Sequence, residues 1–287
     1  MVDNSRGIAA MSASVVVFIL NDALIKLATE TMPPLQAIGL RGIFATAWCL
    51  LALLASGEWR QVGGLRHPAV LARGLLEAAA AVLYLVALAY IPFAVATAIN
   101  LSTPLFLTVL AVIILKEDVR WRRWTAIVAG FVGVLMVIQP KLDDFQIWTW
   151  VVVFASLVGA LRDILSRYVP ASVPTLVVSL SSAATVGLAG GVWAVAEGWQ
   201  PMAWHGVLYL IGSSMLLAAG YQLLMIALRS GAEFSVIGSF RYASVLWAIV
   251  IGYIVWGDVP NLLAMAGIAL VVGAGLYMLH RERVRRT

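Results

Sequence analysis

Seven charged side chains stand inside long apolar runs: Asp22, Lys26, Arg41, Glu77, Arg162, Asp163 and Arg241. A charge at the centre of a membrane helix costs about 3 kcal/mol on the insertion scale, so the set would cost roughly 20 kcal/mol facing lipid. Such groups must face the interior of a helix bundle or water. There they serve as neutralised structural pairs, or as substrate, gate and coupling sites. Asp22 and Lys26 lie four residues apart on one helix face, as do Arg73 and Glu77, and Asp163 and Arg167, and each couple can pair locally. Arg241 has no acidic residue three or four positions away. Its planar donor fork suits a carboxylate ligand, with a salt bridge to Glu77 or Asp163 as the alternative. Counting Arg73, the interior holds five cations against three anions.

The uncharged polar residues in the same runs suit a small-molecule site, an apolar pocket with a few directing groups. Asn100 and Thr103 sit beside Pro104, whose ring removes one helical hydrogen bond and can free a carbonyl. A packing kink is the other reading. Tyr84, Tyr221, Gln222, Ser239 and Tyr242 are further candidate substrate contacts, while Asp22, Lys26, Arg41, Glu77, Arg162 and Asp163 are candidates for gating or coupling. His67, His205 and His280 fall near the ends of the runs, so a proton carried across the membrane would ride on a buried carboxylate, Glu77 or Asp163. Cys49 is the only cysteine. A disulfide within the chain and a cysteine-clustered metal site are excluded, and neither a metal nor a cofactor is expected.

The elements that must hold these residues are helices. Of 287 residues 62% are hydrophobic and 11% charged, with a mean hydropathy of +0.97, whereas a soluble domain carries about a quarter charged residues. The apolar runs predict an all-α integral membrane protein with ten spans: 7–30, 34–55, 69–90, 92–114, 122–140, 147–168, 173–196, 205–228, 232–256 and 259–280. With the N-terminus inside, the inner loops and tails collect nearly all loop Lys and Arg, and the outer loops hold only Lys141. The positive-inside rule then places both termini in the cytoplasm. That placement accounts for the net charge of +5 and the basic C-terminal tail without a nucleic-acid partner. The lipid bilayer and a small-molecule substrate are the expected partners, and ten helices can enclose one pathway within a monomer.

Sliding the chain on itself by 140 or 141 residues lays Asn21-Asp22 over Arg162-Asp163, Pro33 over Pro174 and Ala87-Leu88 over Ala227-Leu228. The offset divides the chain into 1–140 and 147–287. Five spans per copy would invert the second copy, an arrangement characteristic of secondary transporters. Leu101-Ser102-Thr103-Pro104-Leu105-Phe106, Gly130-Phe131-Val132-Gly133-Val134, Phe240-Arg241-Tyr242 and Trp256-Gly257-Asp258-Val259-Pro260 together resemble the drug/metabolite transporter superfamily, ten-helix EamA type. Among its members the chain looks most similar to bacterial amino-acid exporters. One departure is Arg241, where many relatives carry an acidic residue. The resemblance implies an inner-membrane carrier exporting amino acids or related carboxylates by alternating access. A carrier for organic cations, nucleoside-derived metabolites or drugs is the alternative. No metalloprotease His-Glu pattern and no Gly-x-Ser-x-Gly elbow supports an enzyme.

Overall fold

The computed structural model describes residues 5–116, 121–138, 147–170, 172–229 and 243–286. Among these residues are eleven α-helices: α1 (Ser5–Thr29), α2 (Pro34–Ser56), α3 (Pro68–Tyr90), α4 (Phe93–Asn100), α5 (Thr103–Leu115), α6 (Trp121–Ile138), α7 (Ile147–Leu165), α8 (Thr175–Glu197), α9 (Trp204–Arg229), α10 (Ser244–Trp256) and α11 (Leu262–Arg286). Proline opens several of them, at Pro34 and Pro68, where a missing N–H costs nothing. Gly57 closes α2 in the left-handed region, with φ of 75°.

The expected ten spans in two inverted repeats are corrected. Among the described residues six helical stretches are long and apolar enough to cross a membrane: Ala9–Thr29, Pro34–Ser56, Pro68–Tyr90, Phe93–Ile114, Ile147–Leu165 and Thr175–Glu197. The reason is length. A span needs about 20 apolar residues, whereas Trp124–Val137, Ser244–Trp256 and Leu262–Tyr277 are shorter apolar helices. The N-terminal part of the expected span 232–256 lies outside the described residues, as do most side chains of α9 past Tyr221. Inversion required five spans in each half, and the six long spans do not divide that way. The fold is all-α and multi-pass, and side chains such as Leu188, Val192 and Ile254 lie open on helix faces, as a lipid-facing surface requires.

The chain forms two compact units, and each draws on both halves of the sequence. The first comprises residues 1–19, 91–156 and 219–287. Within it α6 lies on α11, where a Cβ at Gly133 would come within 2.8 Å of the Gly267 carbonyl oxygen. Phe93 of α4 packs on Trp256 of α10 at 5.6 Å between ring centroids. Leu105, Ala126 and Ile127 make a buried cluster between α5 and α6.

The second unit comprises residues 20–90 and 157–218. Gly39 and Gly42 of α2 meet Gly187, Gly190 and Gly191 of α8, and a Cβ at Gly42 would overlap the Gly187 Cα. Glycine is required at this crossing because the two backbones touch, the close approach by which membrane helices gain packing energy. Thr185 of α8 donates its hydroxyl to the Gly74 carbonyl of α3 at 2.9 Å, tying a third helix to the pair.

Candidate functional site

Most of the charged residues picked out from the sequence fall in the second unit, gathered around two stretches of α3. Toward its C-terminal end, α3 meets the last turns of α1. Asn21, 2% exposed, donates through Nδ2 to Asp22 Oδ1 at 2.8 Å and accepts the Ser213 hydroxyl on Oδ1 at 2.7 Å. Tyr84 of α3 donates to Asp22 Oδ2 at 3.4 Å, and the Arg41 guanidinium of α2 acts on the same carboxyl electrostatically. Lys26 is buried and donates from Nζ to the Leu88 carbonyl at 2.8 Å. Ser214, next to Ser213 on α9, accepts the Trp48 indole N–H at 3.2 Å. One carboxyl, two cations, an amide and a phenol thus gather where α1, α2, α3 and α9 converge.

Seven residues before Tyr84, about 10 Å along the helix axis, Glu77 anchors a row of alternating charges. Arg162 of α7 donates through Nη1 to Glu77 Oε1 at 3.0 Å, and through Nε and Nη2 to Asp163 Oδ1 at 3.0 and 2.8 Å. Arg73 approaches Glu77 Oε2 at 3.6 Å and donates to the hydroxyls of Ser166 at 2.9 Å and Ser182 at 2.6 Å. Two cations face two anions, so the row is neutral and joins α3, α7 and α8. The local Arg73–Glu77 pair forms as its spacing predicts. Asp163, by contrast, takes Arg162 as its partner; the Arg167 side chain lies outside the described residues.

Asn100 and Thr103 belong to the first unit, at the break between α4 and α5. Thr103 donates its hydroxyl to the Asn100 carbonyl at 2.7 Å. That carbonyl would take the N–H of residue 104 in a continuous helix, and Pro104 has none. Ser156 of α7 reaches Asn100 Oδ1 at 3.4 Å. Tyr221 packs edge-on against Phe18, with centroids 5.4 Å apart. Ser239, Arg241 and Tyr242 lie outside the described residues, as does the Gln222 side chain. A cavity of about 390 Å³ lies between α10 and α11, lined by Val245, Leu246, Ile249, Met265, Ile268 and their aliphatic neighbours. It lacks the polar groups that orient a ligand.

Reasoning from sequence alone missed Ser213, Ser214, Ser166, Ser182 and Ser156. Serines in an apolar helix carry no signal that separates a hydrogen-bonding partner from a small packing residue. No group of three or more His, Cys, Asp and Glu able to hold a metal occurs among the described residues.

Residues 5–139, just under half of the chain, match the EamA-like transporter family. The S-adenosylmethionine uptake transporter of Rickettsia bellii is 25% identical over 224 residues, 74% of this chain and 72% of that one. Further Rickettsia proteins of the same name align over 65% of their own length. The riboflavin transporter of Brucella anthropi is 25% identical over 217 residues, covering 73% and 75% of the two chains. The pseudopaline exporter CntI of Pseudomonas aeruginosa is 24% identical over 266 residues, 90% of each chain. A solved crystal structure with 20% sequence identity shares the fold, with a TM-score of 0.66 over 96% of this chain and 98% of that one.

These findings correct the expected resemblance. The family match stops at residue 139 rather than running through a ten-helix chain, and these relatives are named for S-adenosylmethionine, riboflavin and pseudopaline, not for amino-acid export. The chain is a multi-pass integral membrane protein and a secondary transporter of a small molecule.

Proposed function

We propose that this transporter carries a zwitterionic, nucleoside-derived metabolite across a bacterial inner membrane by alternating access. The observation behind this reading is the convergence of Asp22, Lys26 and Arg41 with Asn21 and Tyr84 in one unit. A substrate bearing a carboxylate and a cationic centre needs one protein anion and at least one protein cation within reach. Asp22 meets the cationic centre, and Arg41 and Lys26 meet the carboxylate, since charge-assisted hydrogen bonds are the strong ones in a low-dielectric interior. The relatives named for S-adenosylmethionine uptake support this substrate class, because that molecule joins both charges to a nucleoside.

The neutral row Arg73–Glu77–Arg162–Asp163 serves as a gate in this reading. It spans three helices, and breaking it exposes four charges that only water or substrate can compensate. The test is counterflow in proteoliposomes loaded with unlabelled S-adenosylmethionine, riboflavin or single amino acids, against labelled S-adenosylmethionine outside. Accumulation driven by S-adenosylmethionine, reduced at least tenfold in Asp22→Asn and Arg41→Gln proteins of wild-type thermal stability, is expected. Folded wild-type protein giving no signal with S-adenosylmethionine would overturn the substrate class.

A further inference from the structure

The break between α4 and α5 collects more acceptors than donors inside an apolar span. Two exchanged hydrogen bonds create the excess. Ser102 N–H turns to the Ile99 carbonyl at 2.9 Å, and Leu105 N–H turns to the Ser102 carbonyl at 2.9 Å instead of that of Leu101. Pro104 has no N–H for Asn100. Among the described residues the Leu101 carbonyl therefore has no backbone donor, and the Asn100 carbonyl is held by the Thr103 hydroxyl alone. The Ser102 hydroxyl, fully buried, has no hydrogen-bond partner among the described residues. Unsatisfied polar groups at membrane depth cost several kcal/mol each, so the arrangement persists where something compensates them.

The geometry points to a sodium ion as that compensation. Asn100 Oδ1 lies 3.4 Å from Thr103 Oγ1 and 3.4 Å from Ser156 Oγ, long for an O–H···O hydrogen bond, which is normally about 2.7 Å. Oxygens arranged octahedrally at about 2.4 Å from a central ion, the range that a calcium-sized cation takes, are separated by about 3.4 Å. The oxygens that these distances bring together are neutral: the Asn100 carbonyl and Oδ1 and the hydroxyls of Thr103 and Ser156. They can balance a single positive charge but not two, which selects Na⁺ over Ca²⁺, while the spacing is too short for K⁺. The last turn of α4 adds the negative end of its dipole. Unwound backbone and helix C-termini hold ions in the same way in other transporters. Ion occupancy there would couple the transporter to a sodium gradient.

Sodium binding is measured on the purified full-length protein in detergent, without transport substrate, so its failure is separate from failure of the proposed substrate class. Radioactive Na⁺ should bind saturably at one site. NaCl at about a hundredfold over Kd should raise Tm by about 5 °C relative to equal concentrations of KCl or choline chloride. Thr103→Val should abolish both effects, and Thr103→Ser, which keeps the hydroxyl, should retain them. If Thr103→Val does not fold, Ser156→Ala is read in its place, with loss of Na⁺ binding expected. No saturable Na⁺ binding to wild type, equal Tm in all three salts, or unchanged Na⁺ binding by the folded hydroxyl-deleted variant would overturn the proposal.

Discussion

Arg162 of α7 donates to Glu77 of α3 across 3.0 Å while holding its own neighbour Asp163 with two further N–H groups at 3.0 and 2.8 Å. One guanidinium thereby bridges two carboxylates on two helices. Both side chains of the Arg162–Glu77 pair are mostly buried, with 23% and 15% exposed. Removing one member strands its partner. Glu77→Ala should destabilise the protein by about 3 kcal/mol, seen as a fall in Tm, and the swap Glu77→Arg with Arg162→Glu should recover part of it. A Tm unchanged by Glu77→Ala would mean that Arg73 and Arg162 are solvated independently of it.

Gln36 of α2 is 1% exposed, and it donates to the Gln200 carbonyl at 2.9 Å while accepting the Gln200 N–H at 3.0 Å. It closes the backbone of the α8–α9 connection as a neighbouring strand would. Gln36→Ala should cost about 2 kcal/mol, the desolvation of two stranded backbone groups. Thermal unfolding in detergent measures it. Gln36→Glu should recover the bond from the Gln200 N–H but not the one to its carbonyl.

At the α2–α8 crossing, Gly42→Leu has no space, since even a Cβ overlaps the Gly187 Cα. The two helices must separate, which forfeits their packing along the whole interface. Size-exclusion chromatography should show loss of monodisperse protein for Gly42→Leu. Gly57→Ala, at an open site where φ is 75°, should cost only about 1 kcal/mol.

The Tyr84–Asp22 hydrogen bond is long at 3.4 Å, whereas Asn21 and Asp22 share one of 2.8 Å. Tyr84→Phe should therefore change transport less than about fivefold, the equivalent of about 1 kcal/mol. Asn21→Leu also strands Ser213, and initial rates of uptake should fall by more than tenfold. Equal effects from the two substitutions would contradict the ranking that the geometry implies.

Pro104→Ala restores an N–H to the Asn100 carbonyl and with it the helical bond that the break forgoes. Thermal stability should rise, by up to about 3 kcal/mol, while flux should fall because the α4–α5 break is lost. A stabilised variant with full flux would show that the break has no part in transport.

The membrane class of this protein was legible in composition, because hydrocarbon excludes unpaired backbone and charge so strongly that about 20 apolar residues mark a span. α1, α2, α3, α7 and α8 lie within a few residues of the runs that predict them. The burden of interior charge was legible for the same reason, as was the Arg73–Glu77 pair, which depends only on helical spacing. The number of long spans was not: the run at 122–140 reads as a span, whereas its apolar helix among the described residues is only Trp124–Val137. Nor could the chain alone assign partners across helices. Lys26 finds the Leu88 carbonyl 62 residues away, Gln36 finds Gln200, and Arg162 chooses Glu77. Local spacing governs what a single helix can bury, whereas the partner of a buried group is whichever other helix the packing brings within about 3 Å. At the α2–α8 crossing it is glycines, rather than charges, that let the two backbones touch.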